Sequence, residues 1–184
     1  MSDELTDADP LSKVAADDDL IKLLGKWESA SRLHWDKWRK EALENYKFVA
    51  GDQWDKGAAI SLEDEGRVPV VFNRVDPMIS AVLGAEILNR QEVTYLPREI
   101  GDVKTNELIN DATQWVRDAT DASDEESDAF FDCIVTGLGW TETRMDYEED
   151  PEGMVRIDRV SPLQMWCDPS ATKRGLVNRR YHWR

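Results

Sequence analysis

The feature that most constrains the fold is a long stretch, Leu20 to Phe48, in which apolar side chains recur at the spacing of an α-helix. The recurring positions are Leu20, Leu24, Trp27, Ser31, Trp35, Trp38, Ala42 and Tyr46. Acidic residues 17–19 suit the N-terminus of this helix, and we expect Asp18 or Asp19 to cap it. Only Gly25 interrupts the pattern, so the sequence predicts an amphipathic helix of about 25–28 residues. An average helix has roughly 11–12 residues, and the greater length is typical of proteins with long radial or bundled helices.

Three more helices are predicted from capping patterns and apolar spacing. Residues 73–76 can cap a second helix, which has a proline in its first turn and closes near residues 89–90. Asp102 opens a third helix. Ser123 and Glu126 have the spacing of a capping box at the start of a fourth, which a pair of glycines ends.

The rest of the sequence predicts loops and extended segments. Gly57 and Gly66 mark a loop after the first helix. The extended segments are 68–72, 92–96, 140–147, 154–160 and 163–166. Those at 140–147 and 154–160 flank a charged turn that contains a glycine, which is typical of a β-hairpin. The fold class is therefore α+β, with a long N-terminal amphipathic helix, further helices and a small sheet that contains the hairpin.

The charge of the chain is strongly acidic and unevenly distributed. Its 184 residues carry 38 Asp and Glu against 23 Lys and Arg, for a formal charge of −15. Residues 102–132 hold ten acids and two bases, whereas residues 169–184 hold five bases and no acid. An acidic body argues against tight, sequence-independent DNA binding, because Lys and Arg hold the phosphates. We expect residues 1–18 to be a disordered acidic arm and residues 19–184 to form one α+β region.

Several protein classes are disfavoured by the composition. No apolar run approaches the roughly 20 residues that span a bilayer, and the first ten residues are acidic where a signal peptide is basic and then apolar. Cys133 and Cys167 lack CxxC spacing and a nearby His, so neither a disulfide framework nor a zinc site is predicted. The chain stops without a turn, cap or polar tail, and we expect it to be the N-terminal part of a longer protein.

The acidic residues of 124–132 are the most obvious place to seek catalysis, because paired carboxylates could hold the two metal ions of a nuclease. However, positions 125, 128 and 132 share one helical face, opposite Phe130 and Phe131. That pattern is typical of the solvated face of an amphipathic helix, which is the interpretation that we favour. The acids of 148–152 lack the residue order of a calcium loop, and a solvated turn explains them better.

Other candidate sites carry weaker signals. His34 and His182 have no catalytic partner at motif spacing, and no phosphate-binding GxxxxGK[ST] motif occurs. The Gly137-Leu138-Gly139 motif follows a helix and is better explained as a helix end and a close turn. Tyr181 and Trp183 in the basic C-terminal run could stack on nucleic acid, but an exposed part of an unfinished domain explains the five charges equally well. The sequence predicts no catalytic residue, no cofactor and no metal site.

A series of short motifs is more specific in combination than any one of them alone. In chain order they are Asn45-Tyr46-Lys47-Phe48-x-x-Gly51-Asp52-Gln53-Trp54, Gly66-Arg67-Val68-Pro69, Phe72-Asn73-Arg74, Val82-Leu83-Gly84, Asn89-Arg90, Ala129-Phe130-x-Asp132, Gly137-x-Gly139-Trp140, Asp146-Tyr147, Val160-x-Pro162 and Asp168-Pro169-x-Ala171. In this order and spacing the chain, from about Trp27 onward, resembles the portal (head–tail connector) proteins of tailed double-stranded-DNA bacteriophages, in the form found in short-tailed phages and prophages. The resemblance covers only the N-terminal part of such a protein.

The resemblance implies a structural subunit of a dodecameric ring at one vertex of the capsid. It implies a homo-oligomer that is part of the virion, assembles in the host cytoplasm with capsid and scaffolding proteins, and docks terminase and then tail adaptors. Double-stranded DNA would pass through the ring without tight binding, and the resemblance implies no catalytic residue, cofactor or membrane partner. Residues 19–184 would be part of the wing and body. The positions that carry the resemblance are structural: Tyr46, Gly51, Asp52, Gln53, Trp54, Phe72, Asn73, Arg74, Gly84, Asn89, Arg90, Gly137, Gly139, Trp140, Asp168 and Pro169.

Two alternatives stay open, namely another ring-forming head–tail adaptor of different fold and a metal-dependent phage nuclease that uses the acidic clusters. Ring subunits need lateral interfaces, in which tryptophan and arginine are enriched. We nevertheless expect most of Trp27, Trp35 and Trp38 to pack in the core, because a helical stripe usually faces the interior of its domain. We also expect this stretch of chain to be monomeric or weakly associated by itself, because the resemblance places later lateral contacts outside it.

Overall fold

The computed structural model describes residues 10–90, 94–97, 99, 103–148, 151–173, 176, 179 and 181–184, with the backbone alone for residues 10–17. Within these residues the elements are α1 (Pro10–Val49), α2 (Lys56–Asp64), α3 (Val75–Leu88), α4 (Val103–Ala119), α5 (Ala122–Thr136), β1 (Trp140–Asp146), β2 (Met154–Val160), β3 (Trp166–Cys167) and β4 (His182–Trp183). Strands β1 and β2 pair antiparallel, as do β3 and β4. The fold class is α+β, as predicted.

The chain divides into two compact units. The terminal unit comprises Met1–Arg39 and Met165–Arg184, and the central unit comprises Lys40–Gln164. Helix α1 contributes its first part to the terminal unit and its last part to the central unit. In the central unit α5 contacts α3, α4 and both strands of the hairpin, so it is the element around which that unit is organised.

Helix α1 is longer than the periodicity indicated. It has 40 residues and begins at Pro10, so the predicted start at Leu20 is wrong, whereas the predicted end near Phe48 is confirmed. Proline suits the first position of a helix, and the residues that follow it include no glycine or further proline before Gly25. Asp18 and Asp19 therefore lie inside the helix and do not cap it. Residues 10–18, which we expected in a disordered arm, are helical, and residues 1–9 lie outside the described part of the chain.

The segment between α1 and α3 contains a helix that was predicted as a loop. The Asp55 carboxylate accepts hydrogen bonds from the backbone N–H groups of Gly57 and Ala58, at 2.9 and 3.4 Å, and so caps α2. Residues 67–74 hold neither helix nor strand, so the extended segment predicted at 68–72 does not form a strand. Residues 94–97 hold no strand either. The first two positions of the strand predicted at 92–96 lie outside the described residues.

The remaining helices are confirmed, with one correction at the start of α5. Helix α3 has the predicted limits, and α4 runs from Val103, directly after the undescribed Asp102. Helix α5 follows Asp121, whose φ of +48° is left-handed, and no side chain caps it. The predicted capping box is therefore wrong. The Glu126 carboxylate instead accepts two hydrogen bonds from the Arg117 guanidinium, at 2.8 and 2.7 Å, a charged pair that is stronger than a neutral cap.

The hairpin is confirmed, with Trp140 opposite Val160 at one end of its register and Asp146 opposite Met154 at the other. The tip residues 149–150 lie outside the described part. The extended piece predicted from Leu163 begins only at Trp166, because the Gln164 N–H donates to the Ser161 carbonyl at 2.9 Å and closes a turn. Among the described residues of the central unit, the buried apolar side chains are those of Ala42, Ile79, Ala122, Ala129, Val135, Val160 and Pro162. This core consists of small side chains, so polar contacts have a large share in joining its elements.

Candidate functional site

The central unit is joined through a buried carboxylate on α5. The side chain of Asp132 is 0% exposed, and its Oδ1 accepts the Tyr46 hydroxyl proton at 2.6 Å. The Arg159 guanidinium donates to Oδ2 at 2.6 Å and to Oδ1 at 2.7 Å. Asp132 therefore connects α1, α5 and β2. The predicted solvated face is wrong at this position, because the hydrophilic side of α5 meets the hairpin and its arginine.

The protonation states of this cluster favour a structural role. Burial, and then the hydrogen bond to Asp132, raise the pKa of Tyr46, which keeps its hydroxyl a donor. The hydrogen bonds to Asp132 likewise raise the pKa of Arg159. Neither Tyr46 nor Arg159 releases a proton near neutral pH. The two side chains therefore hold Asp132 through hydrogen bonds and do not transfer protons. Glu125 adds to it by accepting the Arg159 backbone N–H at 2.6 Å, whereas Asp128 is exposed.

Two of the sequence motifs meet where α1 ends and α3 begins. The Asn73 side-chain amide donates to the Val49 carbonyl at 2.7 Å. Its Oδ1 accepts from the Gln53 amide at 3.1 Å and from the backbone N–H groups of Val75 and Asp76, at 3.1 and 3.3 Å. Asn73 thus caps α3, as predicted, and also ties α3 to the end of α1.

The turn after α1 depends on a residue that tolerates a left-handed backbone. Gly51 has a φ of +99°, which strains any side chain, and the next N–H, that of Asp52, donates to the Lys47 carbonyl at 2.9 Å. The turn leads to Trp54, whose indole N–H donates to the Val70 carbonyl at 3.2 Å. Gly51, Asp52, Gln53 and Trp54 therefore hold the connection between α1 and α3 in place.

A second polar link joins α3 to α5. The Arg90 guanidinium donates to the Ser127 hydroxyl and lies 3.4 Å from the Glu86 carboxylate. The Ser127 hydroxyl in turn donates to Glu86 at 2.7 Å. Arg90 was singled out from the sequence, whereas Glu86 and Ser127 were not, because a single glutamate or serine on a helix carries no signal of its partner.

Other motif positions contribute less to the described contacts. Phe72 is 82% exposed and Arg74 is also exposed. Gly84 lies inside α3 with no atom within 4 Å of where a Cβ would stand, so the described contacts do not require glycine there. Asn89 ends α3, and its amide donates to the Ala85 carbonyl at 2.6 Å.

The two glycines between α5 and β1 have different reasons to be glycine. Gly137 has a φ of +84° and ends α5, where its N–H donates to the Cys133 carbonyl at 2.9 Å. Gly139 sits against the helix, and a Cβ there would stand 2.1 Å from the Ala129 carbonyl oxygen. This close approach lets β1 begin at Trp140 directly beside α5. The predicted helix end and close turn are confirmed.

The terminal unit contains a column of aromatic rings, Trp27, Tyr181, Trp183 and Trp166, which we call the aromatic column. Its stacked neighbours have ring centroids 4.6, 5.5 and 6.5 Å apart in that order. The Arg39 guanidinium lies 4.2 Å from the Trp166 ring centroid, within the range of a cation–π contact. Burial, and then the Arg32 charge, lower the pKa of Arg39, but it remains a cation at neutral pH.

Strand β3 is attached to α1 through one backbone carbonyl. The Cys167 carbonyl accepts the Ser31 hydroxyl and the Trp35 indole N–H, each at 3.0 Å. Cys167 is buried, and this burial raises the pKa of its thiol. Trp35 also meets Trp38 edge to face at 5.6 Å. Trp35 and Trp38 are both half-buried, and they contact each other within their own unit.

The last motif stabilises the turn that follows β3. Asp168 is 1% exposed, and its carboxylate accepts the Ser170 N–H at 2.9 Å and the Ser170 hydroxyl at 2.7 Å. The Asp168 N–H donates to the Tyr181 carbonyl at 3.2 Å, next to the pairing of β3 with β4. Pro169 lies in the turn, where its fixed φ favours the bend.

The described part of the chain shows neither a metal-binding cluster nor a membrane-spanning helix. Among those residues no group of three or more His, Cys, Asp and Glu side chains is arranged to hold a metal ion. No helix among them is long and apolar enough to cross a membrane.

Comparison with known proteins shows the family of the chain. The family model for the phage P22-like portal protein matches residues 25–184. A portal protein of Helicobacter pylori bacteriophage KHP30 is 24% identical over 145 residues, which are 77% of this chain and 24% of that protein. The chain therefore spans about a quarter of the length of this curated relative. Since the family model covers most of the chain, including the polar junctions and the aromatic column, the chain belongs to the phage P22-like portal protein family.

Proposed function

We propose that this chain is part of a structural subunit of the ring-shaped portal at the capsid vertex. In this role the ring is the conduit for genome packaging and ejection, and it is the platform on which terminase and then the tail adaptor dock. The subunit resides in the virion and assembles in the host cytoplasm with capsid and scaffolding proteins. The observation that carries the proposal is the family match over residues 25–184.

The contacts of the motif positions support a mechanical role. Gln53, Asn73, Arg90 and Gly139 connect one element to the next. A subunit that must keep its shape while DNA moves past it needs rigid junctions of this kind, because satisfied polar networks specify one arrangement.

The charge distribution supports passage of DNA without retention. The central unit carries 28 acidic and 12 basic residues, a net charge of −16. Each phosphate that a protein neutralises adds affinity, and an acidic surface repels the backbone instead. We therefore propose weak, salt-sensitive contact with double-stranded DNA at most.

The proposal also implies that the chain has no enzymatic activity. The carboxylate of Asp132, a member of the acidic cluster, is already engaged by Arg159 and Tyr46. A nuclease assay with Mg²⁺ or Mn²⁺ tests this directly, and we expect no turnover. Turnover that is abolished by Asp128→Ala, at an exposed position, would contradict the structural role and favour the nuclease.

Electron microscopy of the complete gene product is the decisive test of the proposed function. We expect rings with a central channel. Particles that stay monomeric at all concentrations, or that form a ring whose subunit lacks the α1 and hairpin arrangement, would overturn the proposal. The second result would favour the alternative of a head–tail adaptor with a different fold.

A further inference from the structure

An open apolar cavity lies between α1, α3 and α5 in the central unit, and we call it the α3 cavity. It has a volume of about 450 Å³, and its walls include Phe48, Met78, Ile79, Val82 and Val135. Asn45 also lines it, and the side-chain amide of this residue donates to the Val135 carbonyl at 3.1 Å. The cavity therefore suits apolar side chains, with room for about three groups of the size of a benzene ring.

Helix α3 is uncharged on every side over most of its length, yet few of its side chains are buried. Its acidic residues are Asp76, in the first turn, and Glu86, which accepts the Ser127 hydroxyl proton at 2.7 Å. Residues 77–85 lie between them, are uncharged and mostly apolar, and make about two and a half turns. Ile79 is the buried residue of α3, whereas Met78 is 69% exposed and Val82 is 47% exposed. A helix that is apolar all round is typical of the interior of a larger folded unit.

The α3 cavity is an opening in the hydrophobic core of the central unit. Ile79 and Val135 are buried and also line the cavity, next to the exposed Met78 and Val82. Core side chains therefore reach the surface through a wall without charge. Because protein interiors are close-packed, a core that opens onto a cavity of this size lacks an apolar segment that fills it.

The length of the related KHP30 portal protein indicates where that segment comes from. The matched residues are 24% of that protein, so about three quarters of its polypeptide lies outside the match. Within the present chain, the nine residues that precede α1 carry four acids and do not suit an uncharged cavity.

We propose that an apolar segment of the same polypeptide, outside residues 1–184, packs into the α3 cavity and completes the core of the central unit. This packing rests on the proposed function, in which the chain is part of a longer portal subunit. It deepens that function by naming the surface through which the rest of the subunit is attached to this part.

A second copy of the chain is the other occupant that an exposed apolar surface suggests. The same polypeptide is favoured for two reasons. The cavity is continuous with the core, and one core is normally completed within one folded chain. A ring subunit also exists alone before it assembles, and an apolar cavity left open at that stage favours aggregation.

Photo-cross-linking of the complete gene product identifies the occupant. An aliphatic amino acid that bears a diazirine replaces Val82, and in a second protein it replaces Met78, in case one replacement disturbs folding. We expect a cross-link within one polypeptide, which keeps the mass of a single subunit on a denaturing gel. Peptide mass spectrometry should assign its other end to residues outside 1–184.

Thiol labelling measures how well the α3 cavity is covered. In this chain Val82→Cys should react with a water-soluble maleimide about as fast as the exposed Cys133. In the complete gene product it should react at least about tenfold more slowly, because covered positions react only through local opening. Glu107→Cys, at an exposed and charged position on α4, is the matched control and should react at the same rate in both proteins. Circular dichroism should show that the variants keep the helix content of the unaltered proteins.

Each of four results would overturn the assignment of the α3 cavity. A cross-linked product of twice the subunit mass would give the cavity to a second copy, and a cross-link to a peptide within residues 1–184 would give it to this part of the chain. Equal labelling of Val82→Cys in the two proteins would show that the cavity stays open. Equal protection of Glu107→Cys and Val82→Cys would show that the cover is not specific to the cavity.

Failure of this assignment is distinguishable from failure of the proposed function. Rings of the unaltered complete gene product, together with any of these four results, would refute the packing and leave the function standing. Absence of rings would refute the function even where the expected cross-link is found.

Discussion

The two units of this chain are stabilised in different ways. The terminal unit depends on ring stacking and on a guanidinium over an indole, as at Trp27 with Tyr181 and at Arg39 with Trp166. The central unit depends on arginine–carboxylate pairs, as at Arg159 with Asp132 and at Arg117 with Glu126. The first kind of contact is nearly independent of salt and acid, whereas the second weakens as carboxylates are protonated.

The difference shows that net charge is a poor guide to internal contacts. The central unit has a net charge of −16, yet its few arginines are placed where elements meet. Arg159 binds the strand to α1 and α5 through Asp132, and Arg144 and Arg156 both approach Asp146 on the hairpin. The hydrogen bond from the Glu148 backbone, followed by these arginines, lowers the pKa of Asp146.

The largest effect is expected from Asp132→Ala. It removes the acceptor of Arg159 and Tyr46 and leaves a partly buried hydroxyl and a guanidinium whose side chain is 35% exposed without it, at a cost of about 3 kcal/mol in the free energy of unfolding. Urea denaturation followed by circular dichroism measures the loss. Asp128→Ala, one turn earlier on the same face of α5, is the matched control: it removes an exposed charge near Arg159 but leaves the Asp132 acceptor in place, and should stay within about 0.5 kcal/mol of the unaltered chain. Equal effects of the two substitutions would show that Asp132 is not a junction.

The burial of Asp132 could not be predicted from the sequence of α5 alone. The helical wheel correctly placed 125, 128 and 132 on one face, opposite the phenylalanines. It could not show that β2, reached after the hairpin turn, brings Arg159 to that face. Arg159 itself carried no distinguishing signal, since β2 also contains the charged residues Arg156 and Asp158. Contacts between residues far apart in sequence are set by tertiary packing, which local patterns do not contain.

The second effect concerns the close approach of β1 to α5. Gly139→Ala places a Cβ against the Ala129 carbonyl, which cannot move without distorting α5, and should cost about 2–3 kcal/mol. Gly84→Ala is the matched control, because its Cβ meets nothing within 4 Å and alanine favours a helix interior. That control should gain about 0.5–1 kcal/mol. Thermal unfolding of the two variants should therefore shift in opposite directions, and a shift in the same direction would contradict the assigned packing.

A smaller effect is expected in the terminal unit from Trp166→Leu. The substitution keeps an apolar side chain but removes the ring between Trp183 and Arg39, at a cost of about 1–2 kcal/mol. Hydrogen exchange should show faster exchange in the terminal unit, and the loss should be the same at low and high salt. Trp115→Leu, at a ring that is 64% exposed, is the control and should leave exchange unchanged at low protein concentration. A loss that disappears at high salt would mean that ion pairs, not ring contacts, stabilise this unit.

The elements that the sequence predicted well are those with a strong local pattern. The hairpin has alternation and a glycine-containing turn, and α3 has a cap at Asn73 that forms as expected. Helix α2 was missed because it is short and has a glycine, Gly57, in its first turn, and its cap, Asp55, is one acid among many. The capping box was wrong because α5 begins at Ala122, which places Ser123 inside the helix, and Glu126 pairs with Arg117 instead. The aromatic column joins residues more than 130 positions apart, so no window of sequence contains it.

The smallest effect is a pH-dependent one at the Arg117–Glu126 pair. The hydrogen bonds from Arg117 lower the pKa of Glu126, so the pair stabilises the fold above the pKa of an unfolded glutamate and is lost as pH falls through the lowered value. The Arg117 side chain is 34% exposed and the Glu126 side chain is 43% exposed, so solvent screens the pair. Glu126→Gln should therefore cost only about 0.5 kcal/mol at pH 7.

The same comparison at lower pH sharpens the distinction between the units. The difference between Glu126→Gln and the unaltered chain should shrink as pH falls below about 4, since protonated Glu126 no longer pairs with Arg117. Glu107→Gln, at an exposed position on α4, is the matched control and should show almost no difference at any pH. Trp166→Leu should keep its full effect over the same range, because ring contacts carry no titrating group. If the difference in free energy of unfolding between Glu126→Gln and the unaltered chain is constant with pH, Glu126 contributes through packing and not through its charge. The contrast between a charge-paired unit and an aromatic unit would then not hold for this pair.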